Sequence, residues 1–299
     1  MLKYFPFLFW SPINYTYTRF FRLFTRFLPE RLKIVVNGKF KLKLDDEKSI
    51  YFNTNYTSWH GRLLFWNGFK GYEHEVTSVF AKIISHCNSF LDIGSNIGYY
   101  SLIAEKLNSN IKTHAFEPLP DAIHYINLNI ESNNFKNIQI HDIALSDKKG
   151  ETTFESRVSK DFPNEKYQIA GDSSLINYDD TKRKQIKVKT ETLDNYFPTL
   201  NLSSIDYIKI DTETTEHIIL SKGLETIKKH LPIIQCEVLK GFNESELQKI
   251  IQPMGYQFFL MTNNGLVLKN SLSEIENEKN DFLFVPVSKI EFLKEISVL

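Results

Sequence analysis

From Phe90 onward, short apolar runs alternate with stretches that have the periodicity of amphipathic helices. The runs are Phe90–Ile93, Thr113–Phe116, Ile138–Ile143, Ile205–Ile210 and Ile233–Val238. The helical stretches lie near Tyr99–Leu107, Asp121–Ser132, Thr215–His230 and Ser245–Gln252. Short runs without polar alternation are typical of strands buried on both faces. This order of elements predicts an α/β fold with a mostly parallel sheet covered by helices.

The 299 residues allow one large domain or two smaller ones, and the pattern suggests three segments. We expect an aromatic and basic helical arm over residues 1–30, a hairpin and irregular segment over 31–72, and the sheet domain over 73–299. The pair Asn37-Gly38 separates two apolar stretches, residues 32–36 and 39–44, which predicts a hairpin turn there. The stretch from Tyr51 to Tyr72 lacks clear periodicity, so we expect it to be irregular.

The arm has an unusual charge and aromatic content. Residues 1–44 hold nine basic side chains against one acid, and seven of the 24 phenylalanines lie in the first 30 residues. Arg19, Arg22 and Arg26 recur at helical spacing among these phenylalanines. Such a helix suits the interface of an anionic membrane, but its aromatic face would suit packing on the protein equally well. The sequence leaves both readings open.

Composition excludes several classes of protein. Lys plus Arg equals Asp plus Glu, at 36 each, so net charge predicts no nucleic-acid partner. Cys87 and Cys236 are too few for a disulfide framework or a four-ligand zinc site, and the histidines show no metal-ligand spacing, so we assign no metal ligands. Carboxylates at the strand ends could hold a hard divalent ion, but no ligand spacing demands one. No apolar run approaches the ~20 residues that span a bilayer. These features favour a cytoplasmic protein, with the arm at most a peripheral contact to the inner face of the membrane.

The loop after the first predicted strand points to a nucleoside cofactor. Asp92-Ile93-Gly94-Ser95-Asn96-Ile97-Gly98 places an acid before a glycine-containing turn. Asn96 stands where a dinucleotide fingerprint has its second glycine, and a carboxylate is a poor neighbour for a pyrophosphate. S-adenosylmethionine carries an ammonium and a sulfonium instead. Glu117 ends the next strand, about where an acid grips a ribose diol.

Several motifs in order resemble those of the FkbM-type methyltransferases. They are Asp92–Ser101, Ala115-Phe116-Glu117-Pro118, Ala144-Leu145-Ser146-Asp147, Thr192-Leu193-Asp194 and Ile208-Lys209-Ile210-Asp211. The resemblance covers about residues 70–240. It implies a class I, Rossmann-like fold with a seven-stranded, mostly parallel sheet and an antiparallel C-terminal strand. It also implies S-adenosylmethionine as cofactor and methylation of a hydroxyl on a sugar, glycan or secondary metabolite.

The same resemblance assigns cofactor residues by position. Asp92, Gly94, Asn96 and Gly98 would form the methionine end of the site, and Glu117 would bind the ribose. Asp142 and Ile143, at the end of the third strand, would contact adenine. The chain departs from the family pattern after the fourth strand, where Thr214 replaces a glycine and puts a β-branched side chain into a tight turn.

Acids at the ends of strands four and five are the catalytic candidates. Methyl transfer to a hydroxyl needs a positioned acceptor and a base. Asp211, Glu213 and Glu237 would lie near the methyl group, although Glu213 and Glu216 also fit as charges that complement a helix N-terminus. Trp59, His60 and Arg62 could form an acceptor wall or simply pack.

Two other functions remain open at this stage. A nicotinamide-dependent oxidoreductase would use the same kind of sheet, although Asp92 and Asn96 argue against it. A non-catalytic interaction protein that kept the fold is motivated by Thr214.

Overall fold

The computed structural model describes residues 9–169, 178–212, 214–275, 277 and 279–299, without the side chains of residues 178–181. Two compact units are present: Met1–His74 with Leu119–Asn134 and Thr153–Lys187, and Glu75–Pro118 with Phe135–Thr152 and Val188–Leu299. The segment boundaries predicted at residues 30 and 72 stay a prediction.

The described part of the chain contains thirteen strands. They are β1 (Gly38–Lys43), β2 (Ser49–Thr54), β3 (Ser89–Ile93), β4 (Lys112–Phe116), β5 (Ile138–His141), β6 (Ala144–Leu145), β7 (Gly150–Ser159), β8 (Tyr178–Glu191), β9 (Tyr207–Ile210), β10 (Ile233–Leu239), β11 (Tyr256–Thr262), β12 (Gly265–Lys269) and β13 (Lys279–Pro286).

The same residues form ten α-helices. They are α1 (Ser11–Arg22), α2 (Trp59–Asn67), α3 (His74–Ile84), α4 (Tyr99–Leu107), α5 (Pro120–Asn133), α6 (Leu193–Tyr196), α7 (Glu216–Ser221), α8 (Leu224–His230), α9 (Glu244–Ile251) and α10 (Ile290–Glu295).

In the first unit, the hairpin is formed by β1 and β2, which pair antiparallel with Gly38 opposite Thr54. The turn predicted at Asn37-Gly38 is therefore wrong. The backbone before β1 bonds to side chains instead of to a strand: the Asn14 amide donates to Val35 O and accepts from Asn37 N–H, and Trp66 Nε1 donates to Ile34 O. These contacts satisfy the buried polar backbone without a ladder.

Helix α1 lies against this hairpin through its arginines. Arg19 donates to Lys39 O at 2.8 Å, and Arg22 donates to Lys41 O at 3.1 Å. The Arg22 guanidinium also lies 4.5 Å from the centre of the Phe65 ring. Two of the three arginines that recur at helical spacing, Arg19 and Arg22, therefore bind protein groups within this unit.

The segment expected to be irregular contains helix α2. Ser58 caps it, because its hydroxyl accepts from Gly61 N–H at 3.0 Å. Gly61 is required there, since a Cβ would meet Thr54 Oγ1 at 1.9 Å. A glycine and three aromatic residues in nine positions hide the helical period, which explains the missed prediction.

The second unit is built on a twisted sheet with the order β12-β11-β13-β10-β9-β3-β4-β5. Strands β10, β9, β3, β4 and β5 pair parallel, and β13 joins β10 antiparallel. This is the predicted class I architecture. The described sheet has eight strands instead of seven, because β12 returns as a hairpin on β11 and extends the edge. Strands β6, β8 and β7 form a separate small sheet.

The stretch predicted as one helix over residues 215–230 is divided into α7 and α8. Gly223 lies at the break, and a Cβ there would meet Leu193 Cδ2 at 2.6 Å. Asp194 accepts from the backbone N–H groups of Glu225 and Thr226. Tertiary capping of α8 by Asp194 therefore overrides the continuous helical period.

No helix within the described ranges has the length and apolar character needed to cross a bilayer. Both cysteines, Cys87 and Cys236, are buried free thiols.

Candidate active site

The strand order reverses between β3 and β9 in the second unit. From β3 the chain moves outward through β4 and β5, and it later returns to the other side of β3 at β9 and β10. In open parallel sheets, the carboxyl ends of the strands at such a point border a ligand crevice. The candidate residues Gly94, Glu117 and Asp211 follow directly after β3, β4 and β9, and Glu237 lies within β10, two residues before its end.

Gly94 brings the loop after β3 against the end of β9. Its φ is 80°, and a Cβ there would lie 1.9 Å from the carbonyl oxygen of Asp211. Asp211 N–H in turn donates to Ile93 O at 3.0 Å. Only glycine fits this close backbone contact, so its place in the motif has a structural cause.

Glu117 binds the same loop from the end of β4. It is buried, and its Oε2 accepts from Asn96 N–H at 2.9 Å. Asn96 adopts a positive φ of 50°, which asparagine tolerates better than most residues. The Glu117 backbone N–H donates to His141 O, so this carboxylate is held in place by both the loop and β5.

The backbone amides of the loop are turned toward protein acceptors. Gly94 and Ser95 donate to Phe116 O, Asn96 donates to Glu117, and Gly98 donates to Ser95 O. A pyrophosphate would need such amides as donors, so this loop does not fit a dinucleotide. Gly98, with a φ of 82°, begins α4.

The charges around the loop fit S-adenosylmethionine. Asp92, Glu117, Asp211 and Glu237 bring four carboxylates close to these strand ends, against two lysines, Lys209 and Lys279. The excess of negative charge complements an ammonium and a sulfonium. The residues present therefore fit the cofactor that the family uses.

Asp92 is fully buried within β3. Its Oδ2 accepts from the Ser101 N–H at 3.1 Å and from the Ser101 hydroxyl at 2.6 Å, which ties β3 to α4. Burial raises the pKa of Asp92, opposed by the charge of Lys209 and by the Ser101 hydrogen bonds. The predicted contact of Asp92 with the methionine end stays a prediction, and the structure adds this helix-binding role.

Lys209 is a site residue that sequence reasoning missed. It lies opposite Asp92 in the parallel register of β3 and β9, and its side chain is buried. Its Nζ contacts Asp211 Oδ2 at 2.8 Å and lies 4.6 Å from the centre of the Tyr100 ring. The signal was a lysine within the apolar run Ile205–Ile210, because a buried lysine requires a carboxylate partner.

Asp211 and Glu237 lie at the same level of neighbouring strands. Cys236 pairs with Ile210 across β10 and β9, so the next residues along the two strands are Glu237 and Asp211. The Asp211 side chain is 30% exposed and that of Glu237 is 16% exposed. Glu237 Oε1 also lies 3.6 Å from Lys279 Nζ.

The turn after β9 is organised by Glu216, which sequence reasoning treated as a helix N-terminal charge. Glu216 is buried, and its Oε1 accepts from the N–H groups of Thr212 and Thr214 and from the Thr212 hydroxyl. Its Oε2 accepts from Asn243 Nδ2 at 3.0 Å. Thr214, which replaces the family glycine, adopts a φ of 92°. Glu213 lies outside the described residues.

Asp142 and Ile143 follow β5 at the next strand end. Asp142 is exposed, while Ile143 packs against the hydrophobic core of this unit. Beside them His114 Nδ1 and His141 Nε2 form a buried hydrogen bond of 2.8 Å, and His141 Nδ1 meets the Tyr196 hydroxyl at 3.1 Å. Desolvation lowers the pKa of each histidine to about 4.

Two other sequence expectations concern metals and the acceptor. Among the described residues, no group of three or more histidine, cysteine or acidic side chains has a metal-binding arrangement. Arg62 donates to Lys33 O and lies over the Trp59 ring within the first unit. These contacts give Arg62 and Trp59 a packing role, and an acceptor wall formed by these residues stays a prediction.

The sequence profile of the methyltransferase FkbM domain matches residues 92–260, which is more than half of the chain. The chain belongs to the FkbM methyltransferase family. S-adenosylmethionine is the cofactor that goes with FkbM membership. No curated protein matches the sequence.

Solved structures give distant similarities. The FkbM methyltransferase from Methylobacillus flagellatus is 13% identical with a TM-score of 0.41, and the match covers 66% of this chain and 43% of that one. The chain thus spans less than half the length of that relative. Precorrin-6y C5,15-methyltransferase from Geobacter metallireducens is 12% identical with a TM-score of 0.42, covering 71% and 88%. M. jannaschii TYW2, solved with AdoMet, is 11% identical with a TM-score of 0.42, covering 85% and 89%.

Proposed function

We propose that this chain transfers a methyl group from S-adenosylmethionine to a hydroxyl group of a sugar, glycan or similar small molecule. The observation that carries the proposal is the pair of carboxylates, Asp211 and Glu237, at one level of β9 and β10 beside the Gly94 turn. A hydroxyl acceptor needs a base, and both side chains retain solvent access.

The cofactor would be held by the ends of β3 and β4. Glu117 would bind the ribose hydroxyls, with Asp142 and Ile143 bordering the adenine. Gly94, Asn96 and Gly98 would give the backbone shape that accepts the methionine end, with the Asp92 charge behind it. When bound, S-adenosylmethionine supplies an electrophilic methyl group on a sulfonium with a good leaving group.

Asp211 is our first choice for the base. Lys209 fixes one of its oxygens at 2.8 Å, which leaves the orientation of the carboxylate defined while part of the side chain faces solvent. It would accept a hydrogen bond from the acceptor hydroxyl, orient its oxygen, and take up the proton. Glu237 is the second choice, since its partner Lys279 lies farther away, at 3.6 Å, and is itself 48% exposed. A role for Glu213 remains a proposal from sequence.

The acceptor class rests on the family resemblance and on the requirement for a base. A free sugar hydroxyl is weakly acidic, so a positioned carboxylate contributes more to its methylation than to that of a thiolate. We place the reaction in the cytoplasm, supported by the free buried thiols of Cys87 and Cys236.

One observation favours a second function, a protein that binds S-adenosylmethionine without turnover. Thr214 holds a positive φ where the family has glycine, so the turn that carries Asp211 toward α7 is strained. A nicotinamide-dependent oxidoreductase is disfavoured, because the loop amides already donate to protein acceptors.

The deciding experiment is formation of S-adenosylhomocysteine, measured by mass spectrometry with a panel of free glycans and small hydroxyl compounds. We expect Asp211→Asn to lower kcat by roughly 10²–10⁴-fold with little change in cofactor affinity. Glu151→Gln, at an exposed acid in the same unit and outside the family motifs, serves as the matched control. Cofactor binding without product from any acceptor would support the non-catalytic function. Full rates in both Asp211→Asn and Glu237→Gln would remove the base assignment.

A further inference from the structure

The described part of the first unit exposes an apolar patch. The patch consists of Phe20, Leu23, Phe24 and Phe27, at the end of α1 and in the turn that follows. Leu23 is 79% exposed and Phe27 is 82% exposed. The Phe20 and Phe24 rings contact each other, with centroids 5.7 Å apart. Trp10, at the start of α1, is also largely exposed.

The contacts that hold α1 on the hairpin leave these apolar side chains exposed. Arg19 and Arg22 bind the backbone of β1, and this contact holds the helix against the hairpin. The helix is therefore docked, as one of the two sequence readings expected, yet the patch remains in solvent. Large exposed apolar side chains grouped on one segment indicate a contact surface.

The charge beside the patch indicates what the contact is. Residues 9–44 contain eight basic side chains and one acid. Arg26 and Arg31 are exposed and flank Phe27 in the sequence, and Lys39, Lys41 and Lys43 alternate on the exposed side of β1, whose backbone binds α1. The acid within this stretch, Glu30, pairs with Lys33, and the next acids along the chain are Asp45, Asp46 and Glu47, in the turn between β1 and β2.

We propose that the patch and these cations bind the surface of a membrane that contains anionic lipids. The aromatic and leucine side chains would enter the interface, and the lysines and arginines would contact lipid headgroups. A second copy of the chain fits less well, because a two-fold contact would bring the two sets of cations together. The proposal is independent of the methyl-transfer chemistry.

The test is co-sedimentation of the full chain with vesicles of phosphatidylglycerol and phosphatidylcholine in equal parts. Pure phosphatidylcholine vesicles provide the neutral reference. We expect binding to the mixed vesicles that is at least tenfold stronger and that weakens at high salt, since each cation near an anionic surface contributes about fivefold.

Substitutions must avoid Arg19 and Arg22, because their loss would undock α1. Phe24→Ser with Phe27→Ser removes two exposed rings and should weaken binding at least tenfold. Phe242→Ser with Leu268→Ser removes exposed apolar side chains from the other unit and is the matched control.

Charge-reversal variants test the contribution of the lysines to vesicle binding. Lys41→Glu with Lys43→Glu should weaken binding about tenfold or more, while Lys148→Glu with Lys149→Glu makes the same charge change elsewhere and should not. Circular dichroism and thermal melting verify that each variant is folded.

Four results would overturn the proposal. They are wild-type binding in the folded Phe24→Ser, Phe27→Ser variant, equal losses in the control variants, no preference for phosphatidylglycerol, and no vesicle binding at all. Sedimentation velocity tests whether a second copy of the chain occupies the patch instead. If the wild type forms a dimer, binds no vesicles, and loses the dimer in the Phe24→Ser, Phe27→Ser variant, the patch is a contact between two copies.

Discussion

A Cβ atom placed on Gly94 would lie 1.9 Å from the carbonyl oxygen of Asp211. The turn that begins the cofactor loop thus lies directly on the backbone that carries the proposed base. If the proposed roles are right, this contact would couple cofactor binding to the position of the base.

Gly94→Ala should therefore destabilise the fold and weaken cofactor binding together. A positive φ at alanine costs about 1–2 kcal/mol, and the backbone clash adds to it. Gly255→Ala is the matched control, since Gly255 has a φ of 76° with no atom near its Cβ position. Urea denaturation of both variants separates the cost of the positive φ from the cost of the backbone clash. Equal losses of stability would show that the Asp211 contact is not tight.

Replacing Thr214 with glycine should stabilise the protein. Thr214 has a φ of 92°, a region that costs a β-branched residue about 1–3 kcal/mol, while glycine loses about 0.5–1 kcal/mol in chain entropy. We expect a net gain on the order of 1 kcal/mol by urea denaturation. Thr214→Ala removes the side chain but keeps the strained backbone, so it should gain less. A gain from alanine equal to that from glycine would place the strain in the side chain instead.

Lys209→Met should destabilise the protein strongly at neutral pH. The buried Asp92 and the partly buried Asp211 would lose their cation, and breaking such a group costs about 3–5 kcal/mol. Burial already raises the folded pKa of Asp92 above its unfolded value, so its ionisation lowers stability as pH rises. The loss in Lys209→Met should thus be smaller at about pH 4–5 than at pH 7. A loss that is independent of pH, measured by urea denaturation, would contradict the charge argument.

The histidine pair should make the fold sensitive to acid. Burial lowers the pKa of His114 and of His141 from 6.5 to about 4, so the unfolded chain binds protons first as pH falls. The neutral pair contributes fully to the free energy of unfolding above about pH 6.5, and this contribution is lost as the pH falls toward about 4. The melting temperature of the His114→Asn, His141→Gln double variant should depend less steeply on pH in this range than that of the wild type. His86→Gln, at an exposed histidine, is the control. An unchanged slope in the double variant would show that other groups titrate.

The parallel sheet was predictable because each central strand is a short apolar run buried on both faces. The turn of the hairpin was not, since Asn14 and Trp66 satisfy the backbone around Ile34 and Val35 from distant positions. The division between α7 and α8 likewise depends on Asp194, some thirty residues away from the helix it caps. Local sequence patterns do not reveal partners that are so distant along the chain.

The candidate site shows the same limit. Motif order placed Gly94, Glu117 and Asp211 at strand ends, and the structure brings them to one edge of the sheet. The pairing of Lys209 with Asp211 and the binding of the Thr212–Thr214 turn by Glu216 depend on strand register and on three-dimensional proximity. Those contacts became visible only with the fold.

Isothermal titration calorimetry of Glu117→Gln with S-adenosylmethionine and S-adenosylhomocysteine tests the central claim most directly. Glutamine can still accept from Asn96 N–H but lacks the charge for the ribose hydroxyls. Glu105→Gln is the matched control, because Glu105 is also buried and accepts from two backbone N–H groups. We predict roughly micromolar affinity for the wild type and the control, and about tenfold weaker binding for Glu117→Gln, since charge-assisted hydrogen bonds contribute about 1.5–3 kcal/mol. Wild-type affinity in Glu117→Gln, or no binding of either ligand to the wild type, would contradict the account.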